Sequence, residues 1–291
     1  MKYTVITDEN ASAFKSVIGD AFKEHQVGRL FCGVVDDDDA AAGAAYFDEE
    51  GDNLWLGTIG VADELRRRGF GSFLLKESGT LAAEYGFRRL CASFYEDPEE
   101  LKSNELAGFL TACDFKIRKA PVERQVFLLS DFYKQAGNLL GEKKEGLCIK
   151  NLQDLSGEEK IQLLNLFLGD EERIGYFRED VLFSKENKYG SVAFREGEPV
   201  AAAAVLPFED GVRLDQLYGK MEHISELHGL LWDCLEKVKK ASKIKHLYID
   251  IAGEQLLKLQ KQRFERAGIL CERCLQGYIA EKELGAVSDN S

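Results

Sequence analysis

The chain has 291 residues, a length that predicts two domains or one large one. Its net charge of −13 argues against a nucleic-acid binder, which needs an excess of cations facing phosphate, and would favour a cationic acceptor such as an amine only through long-range steering. No apolar run approaches the ~18 residues of a membrane span, and seven scattered cysteines fit reduced thiols better than a disulfide framework.

Met1 to Val5 enters a strand directly, without the apolar core of a leader, so a cytoplasmic chain is expected. Ala13, Phe14, Val17, Ile18 and Phe22 recur at helical spacing and predict an amphipathic helix over about 10–25, with Asp8 or Asn10 as cap. Arg29–Val35, Ala40–Phe47 and Leu54–Val61 read as three strands. The acidic turns 36–39 and 48–53 join them into an antiparallel meander. Consecutive aspartates point in different directions and chelate poorly, so 36–39 is expected to be a solvated hairpin tip and no metal is expected. A helix to about Tyr85, ended by Gly86, precedes a strand at Arg89–Phe94 that must run parallel to the strand before the helix. Asp97 with Pro98 predicts the start of another helix, running to about Ala112. Two strands, Phe115–Lys119 and Gln125–Leu129, follow. Residues 132–146 are polar and glycine-bearing and read as a linker.

Between Leu54–Val61 and the next helix lies Leu65-Arg66-Arg67-Arg68-Gly69-Phe70-Gly71-Ser72. The first amides of a helix have no internal partners, the dipole adds partial positive charge there, and glycine lets the backbone approach an anion closely. The loop is therefore a candidate phosphate site. It has two glycines where the dinucleotide fingerprint needs three, and Ser72-Phe73 after Gly71 where a P-loop needs Lys-Ser/Thr. Its pattern, Arg66-x-x-Gly69-x-Gly71 after a strand ending in Val61, resembles the pyrophosphate loop of the GNAT acyltransferases. Val61-Ala62-Asp63-Glu64-Leu65-Arg66 is similar to the family's V-x-P-E-x-R approach, with Ala62 where Pro is usual. The element order over about 1–131 also resembles that fold.

The second half repeats the first. Ala201–Val205, Phe208-Glu209-Asp210-Gly211 and Leu214 lie beside Ala40–Ala45, Asp48–Gly51 and Leu54. Helices at 224–240 and 254–267, a strand at 244–251, and final strands at 269–272 and 275–280 continue the order. Ser156 with Glu159 predicts a capping box. Where the phosphate loop would fall stands Tyr218-Gly219-Lys220-Met221-Glu222-His223, without the Arg-x-x-Gly-x-Gly pattern. The expected architecture is α+β with a mixed sheet, in two GNAT-like acyl-CoA N-acyltransferase units in tandem. Residues 1–131 would be the catalytic, acyl-CoA-binding domain, 132–146 a linker and 147–291 a degenerate partner.

The resemblance implies acetyl-CoA as acyl donor. Its pyrophosphate would lie on the amides of Arg66, Arg67, Arg68, Gly69, Phe70, Gly71 and Ser72. Its acyl carbonyl and pantetheine arm would lie along Val61 and Ile59, with Asn104 contacting CoA from an Asn-x-x-Ala match. It implies direct transfer, in a ternary complex, to a primary amine of a small molecule or peptide. Thr111 stands where the family often has a Tyr acid, so Tyr95 is the replacement candidate for acid and Glu96 for base. The missing Tyr leaves a non-catalytic acyl-CoA-binding or regulatory protein as the alternative. Neither nucleic acid nor membrane is an expected partner, and the chain would act as a monomer or homodimer. A lone CxxC at Cys271 and Cys274 lacks the two further ligands that zinc would need.

Overall fold

The computed structural model describes residues 1–18, 29–140, 146–168, 179–219, 224–241, 243–252, 258, 261–262 and 264–285. The chain divides into two compact units, Met1–Ala120 with Gln276–Ser291, and Pro121–Leu275. Both are α+β.

In the first unit, β1 (Lys2–Val5), α1 (Ala11–Ile18), β2 (Arg29–Val35), β3 (Ala41–Glu50), β4 (Asn53–Val61), α2 (Phe70–Glu84), β5 (Arg89–Glu96) and α3 (Glu105–Ala112) follow one another. Of the helix expected over 10–25, residues 19–25 lie outside the described residues. Phe14 anchors α1, filling the space that the missing Cβ of Gly33 leaves on β2. At the β2–β3 tip, Asp36 accepts the amides of Asp38 and Ala40 at 3.0 and 2.9 Å, while Asp39 pairs with Lys2. The acidic run is thus used locally, to close a turn.

The second unit contains β7 (Leu147–Asn151), α5 (Gly157–Leu168), α6 (Glu179–Leu182), β8 (Ser191–Arg195), β9 (Glu198–Phe208), β10 (Gly211–Gly219), α7 (Ile224–Lys239) and β11 (His246–Ala252). The capping box at the start of α5 forms reciprocally. Glu159 N donates to Ser156 Oγ (3.2 Å), and Ser156 N donates to Glu159 Oε2 (2.9 Å).

Two strands depart from expectation. Residues 116–128 form one strand, β6 (Lys116–Leu128), rather than two. The segment Ala120-Pro121-Val122-Glu123-Arg124 holds no Gly, Asn or Asp to turn the chain, and Pro121 keeps it extended. The last strand, β12, spans Arg273–Glu283, and 269–272 lie outside any strand. The expected linker is mostly helix. α4 (Leu129–Leu140) buries Phe132 and Ala136 in the second unit's core, and residues 141–145 lie outside the described residues. Its apolar stripe of Leu129, Phe132, Tyr133 and Ala136 was masked by the polar residues between.

Pairing then assigns each strand. The first unit's sheet runs β1-β2-β3-β4-β5-β12, and the second's runs β6-β11-β10-β9-β8-β7. Within the first unit, β12 lies antiparallel to β5 from Gln276↔Glu96 to Glu283↔Arg89. Within the second, β6 lies antiparallel to β11 from Val122↔Ala252 to Leu128↔His246. The strand that completes the first sheet therefore comes from the end of the chain, and the one that completes the second comes from the middle. The boundaries expected at 131 and 147 are corrected accordingly.

The repeat holds at the level of hydrogen bonds. Arg88 N donates to Asp52 O (2.8 Å) as Lys245 N donates to Asp210 O (3.0 Å). Leu284 N donates to Arg88 O as Leu129 N donates to Lys245 O, both at 2.8 Å. These bonds move the expected register by two residues. Gly51 (φ 58°) corresponds to Glu209 (φ 47°), and Gly211 corresponds to Asn53. The left-handed first residue of each two-residue turn sets the register, and the alanine match by which the halves align in sequence does not.

Candidate functional site

Along its β3 edge, β4 is paired out to Gly43↔Val61. On its other edge the parallel ladder with β5 runs only from Asn53↔Arg89 to Leu56↔Ala92. On its far edge β5 is paired with β12 along its whole length, and beyond Ala92 only that pairing remains, with Ser93, Phe94, Tyr95 and Glu96 opposite Ile279, Tyr278, Gly277 and Gln276. The two central strands part, and residues 57–61 present a strand edge inside the sheet where backbone donors and acceptors can meet a ligand. Ile59 and Val61 lie on this edge, half-buried against the core.

The loop after β4 opens with a 3-10 turn, Asp63–Leu65, closed by Leu65 N to Ala62 O (2.9 Å) and Arg66 N to Asp63 O (3.3 Å). Arg67 (φ 61°) and Gly69 (φ 87°, ψ 0°) are left-handed, and Gly69 is the N-cap of α2. A glycine cap carries no side chain, so nothing from Gly69 covers the amides of Phe70, Gly71 and Ser72. Phe70 is buried and fixes the helix start, while Arg66, Arg67, Arg68, Gly69 and Ser72 are exposed. A Cβ on Gly71 would sit 3.3 Å from the Phe109 ring and 3.5 Å from Val61 Cγ2. Backbone is thereby brought close to the end of β4. Arg66 pairs with Asp63 (2.7 Å) and Arg67 with Glu105 (3.8 Å). Both pairs are solvated, worth about 0–1 kcal/mol, and cheap to exchange for an anion.

The helix expected from Asp97 begins later. Asp97 Oδ1 accepts Glu99 N (2.9 Å) in a turn, and α3 starts after Asn104, whose Oδ1 accepts Ala107 N (2.8 Å). Asn104 Nδ2 also donates to Glu96 Oε2, and Glu96 Oε1 accepts Asp97 N (2.9 Å). The structure thus brings Glu96 and Asn104 together as a clasp between β5 and α3. Tyr95 is half-buried, one residue along β5. Thr111 Oγ1 donates back to Ala107 O (2.8 Å).

Sequence reasoning missed Tyr278. It is 3% exposed and stacks on Phe94 with ring centroids 5.6 Å apart. Burial, then the nearby Asp97 and Glu96, push its hydroxyl above the ordinary tyrosine range, so it stays protonated. What reveals it is the pairing of β12 with β5, between segments well over half the chain apart in sequence. Cys113, buried, donates to Ser72 Oγ at 3.5 Å. Among the described residues no group of three His, Cys, Asp or Glu could hold a metal, and no helix is long and apolar enough to cross a membrane.

Residues 5–110 match the model of the acetyltransferase (GNAT) family. Over 98% of both chains, the structure is similar to a tandem GNAT protein from the clavulanic acid biosynthesis pathway, with TM-score 0.67 and 14% identity. It is also similar to a GCN5-related N-acetyltransferase from Sphaerobacter thermophilus (TM-score 0.56, 13% identity, 97% of this chain and 95% of that one). A third likeness is to a probable N-acyltransferase from Enterococcus faecalis V583 (TM-score 0.57, 11% identity, 98% and 73%). No characterised protein matches significantly by sequence. Residues 5–110 thus carry a GNAT-family domain, and the chain as a whole has the fold of a tandem GNAT protein.

Proposed function

We propose that the first unit binds acetyl-CoA or another acyl-CoA and transfers the acyl group to a primary amine. The observation that carries this reading is the parting of β4 from β5 beyond Leu56, with the glycine-capped start of α2 directly after it. The amides of residues 66–72 would take the pyrophosphate, and the free edge at Ile59 and Val61 the pantetheine arm and acyl carbonyl. Tyr95 would protonate the departing thiolate. Glu96 holds the loop to Asn104 and Asp97 and fits a positioning role better than that of base, which leaves the amine proton to water. The acceptor would be a small-molecule or peptide amine, drawn by the chain's negative field.

A second reading, an acyl-CoA-binding regulator without turnover, is favoured by Thr111 at the position of the family's usual acid. Calorimetric titration with acetyl-CoA tests the site. Gly71→Asp should abolish binding, whereas Gly71→Ala, which adds the Cβ but no charge, should weaken it only about tenfold. Absence of binding by the native chain overturns both readings. Binding without thiol release across an amine panel selects the second.

A further inference from the structure

The Cys271-Glu272-Arg273-Cys274 segment has no part in acyl transfer as proposed, yet it is tightly organised. It connects the helical residues 264–266 to β12, and Glu272 N donates to Val126 O (2.8 Å), which pins it to β6 in the second unit. Cys274 Sγ lies 3.4 Å from Cys271 Sγ and donates its proton towards it. Cys271 Sγ is in turn 2.8 Å from Arg273 O and 3.4 Å from Val126 O. The two sulfurs are therefore in contact, and a disulfide between them needs closure to about 2.05 Å. Cys274 is exposed and Cys271 half-buried, whereas Cys32, Cys91, Cys113 and Cys234 are buried and Cys148 is exposed. Metal binding is not carried, because no third ligand joins the pair among the described residues.

We propose that Cys271 and Cys274 form a redox-active dithiol that low-molecular-weight disulfides oxidise to an intramolecular disulfide. The two thiols are unequal. The Cys274 S–H bond stabilises the Cys271 thiolate and lowers its pKa, while the same bond and then burial push Cys274 up. Cys271 is thus the attacking sulfur and Cys274 the resolving one. In the first step the Cys271 thiolate attacks one sulfur of RS–SR. The oxidant's S–S bond breaks, a mixed disulfide forms on Cys271, and RS⁻ leaves. In the second, Cys274 gives up its proton and attacks Cys271 Sγ. The mixed disulfide breaks, the protein disulfide forms, and the second RS⁻ leaves. Overall the two cysteines lose two electrons and two protons, and RS–SR becomes two RSH. The modification falls at residues 271–274, just before the chain passes at 275/276 from the second unit to the strand that completes the first.

The full chain, reduced and then exposed to oxidised glutathione at neutral pH, tests this by peptide mapping after an acid quench. With Cys148→Ser as background, the thiols counted after denaturation should fall by two, and the peptides carrying Cys271 and Cys274 should be found cross-linked. Cys274→Ser should trap glutathione on Cys271, whereas Cys271→Ser should leave Cys274 about tenfold slower to react. Stable glutathione adducts on both cysteines of the native pair would overturn the proposal. So would a pair that stays reduced under conditions where Cys148 in the native chain is fully modified.

Discussion

The two units share a backbone plan and differ in what fills it. In each, a parallel ladder stops after a few residues, at Leu56↔Ala92 in the first and Leu214↔Ile249 in the second. Each is completed by an antiparallel strand in the same register. Yet the slot facing that strand holds Ile279 opposite Ser93 in the first unit and Arg124 opposite Asp250 in the second. Arg124 is 8% exposed, forms a two-pronged pair with Asp250 (2.6 and 2.8 Å) and lies over the Phe208 ring. The first unit leaves its central strands lightly furnished beside a helix start whose glycine cap has no side chain. The second spends the same positions on ion pairs, Arg213 with Asp215 among them. A repeated fold keeps its hydrogen-bond frame while its side chains diverge, and under the proposed function one copy would hold the ligand site while the other serves as scaffold.

The largest test of this comparison removes β12. A chain ending at Cys274 leaves β5 without its neighbour and removes Tyr278 and Ala280 from the first unit's core. Loss of a buried aromatic alone costs about 3–5 kcal/mol. The first unit should unfold at room temperature and lose acetyl-CoA binding, while hydrogen exchange in β8, β9 and β10 stays slow, because β6 still completes that sheet. Rapid exchange in the second unit instead would mean that β12 belongs there.

Next in size is the Arg124–Asp250 pair. Arg124→Ile leaves a partly buried carboxylate without its cation and should cost about 3–5 kcal/mol. Adding Asp250→Ser, which copies the Ile279/Ser93 slot of the first unit, should recover most of that in a urea melt. If the double variant is no better than the single one, the two slots are not interchangeable and the frame is less shared than the register suggests.

Local chemistry was legible in the sequence. The loop from Arg66 to Gly71 and the helix start after it read as such because glycine, helix start and strand end are all short-range signals. The Ser156–Glu159 box and the Gly86 stop read for the same reason. The exchange of β6 and β12 did not, because it depends on pairing between residues such as Tyr278 and Phe94 that no local pattern connects. A strand's side-chain alternation says which face it buries but not which neighbour it joins. The clasp of Glu96 on Asn104 was half legible. Both residues were candidates, but Asp97 competed for the role of helix cap, and only the fold decided for Asn104. Where two caps stand seven residues apart, propensity ranks them about equally, and the tertiary partner selects.

A smaller effect sharpens the match between helix ends. Asp114 (φ 67°) in the first unit corresponds to Gly268 (φ 70°) in the second, each just past a helix whose carbonyl accepts the next amide: Phe115 N to Leu110 O (3.0 Å), and Ile269 N to Phe264 O (2.9 Å). A left-handed backbone costs a side-chain-bearing residue about 1 kcal/mol more than glycine. Asp114→Gly should therefore stabilise the first unit, and Gly268→Ala should destabilise the second, by similar amounts of opposite sign in denaturant midpoints. Equal signs would mean that the two turns are not equivalent.

The smallest expected effect is on the acid limb. Asp210 is held below the ordinary carboxylate range, first by its hydrogen bond with His246 (2.8 Å) and then by the Tyr248 hydroxyl (3.0 Å). A carboxyl whose folded pKa is depressed contributes stability that is fully present above the unfolded value of about 3.9 and is lost as pH falls through the lower, folded one. Asp210→Asn removes that contribution. Relative to the native chain, the variant should be less stable at neutral pH, and the gap should narrow as pH falls below about 4. Asp52, its counterpart in the first unit, meets Arg88 at 3.4 Å with both side chains largely exposed. Asp52→Asn should therefore move the melting curve little at any pH. A difference between the Asp210 variant and the native chain that persists unchanged below pH ~3 would place the effect on lost hydrogen bonding to Tyr248 rather than on charge.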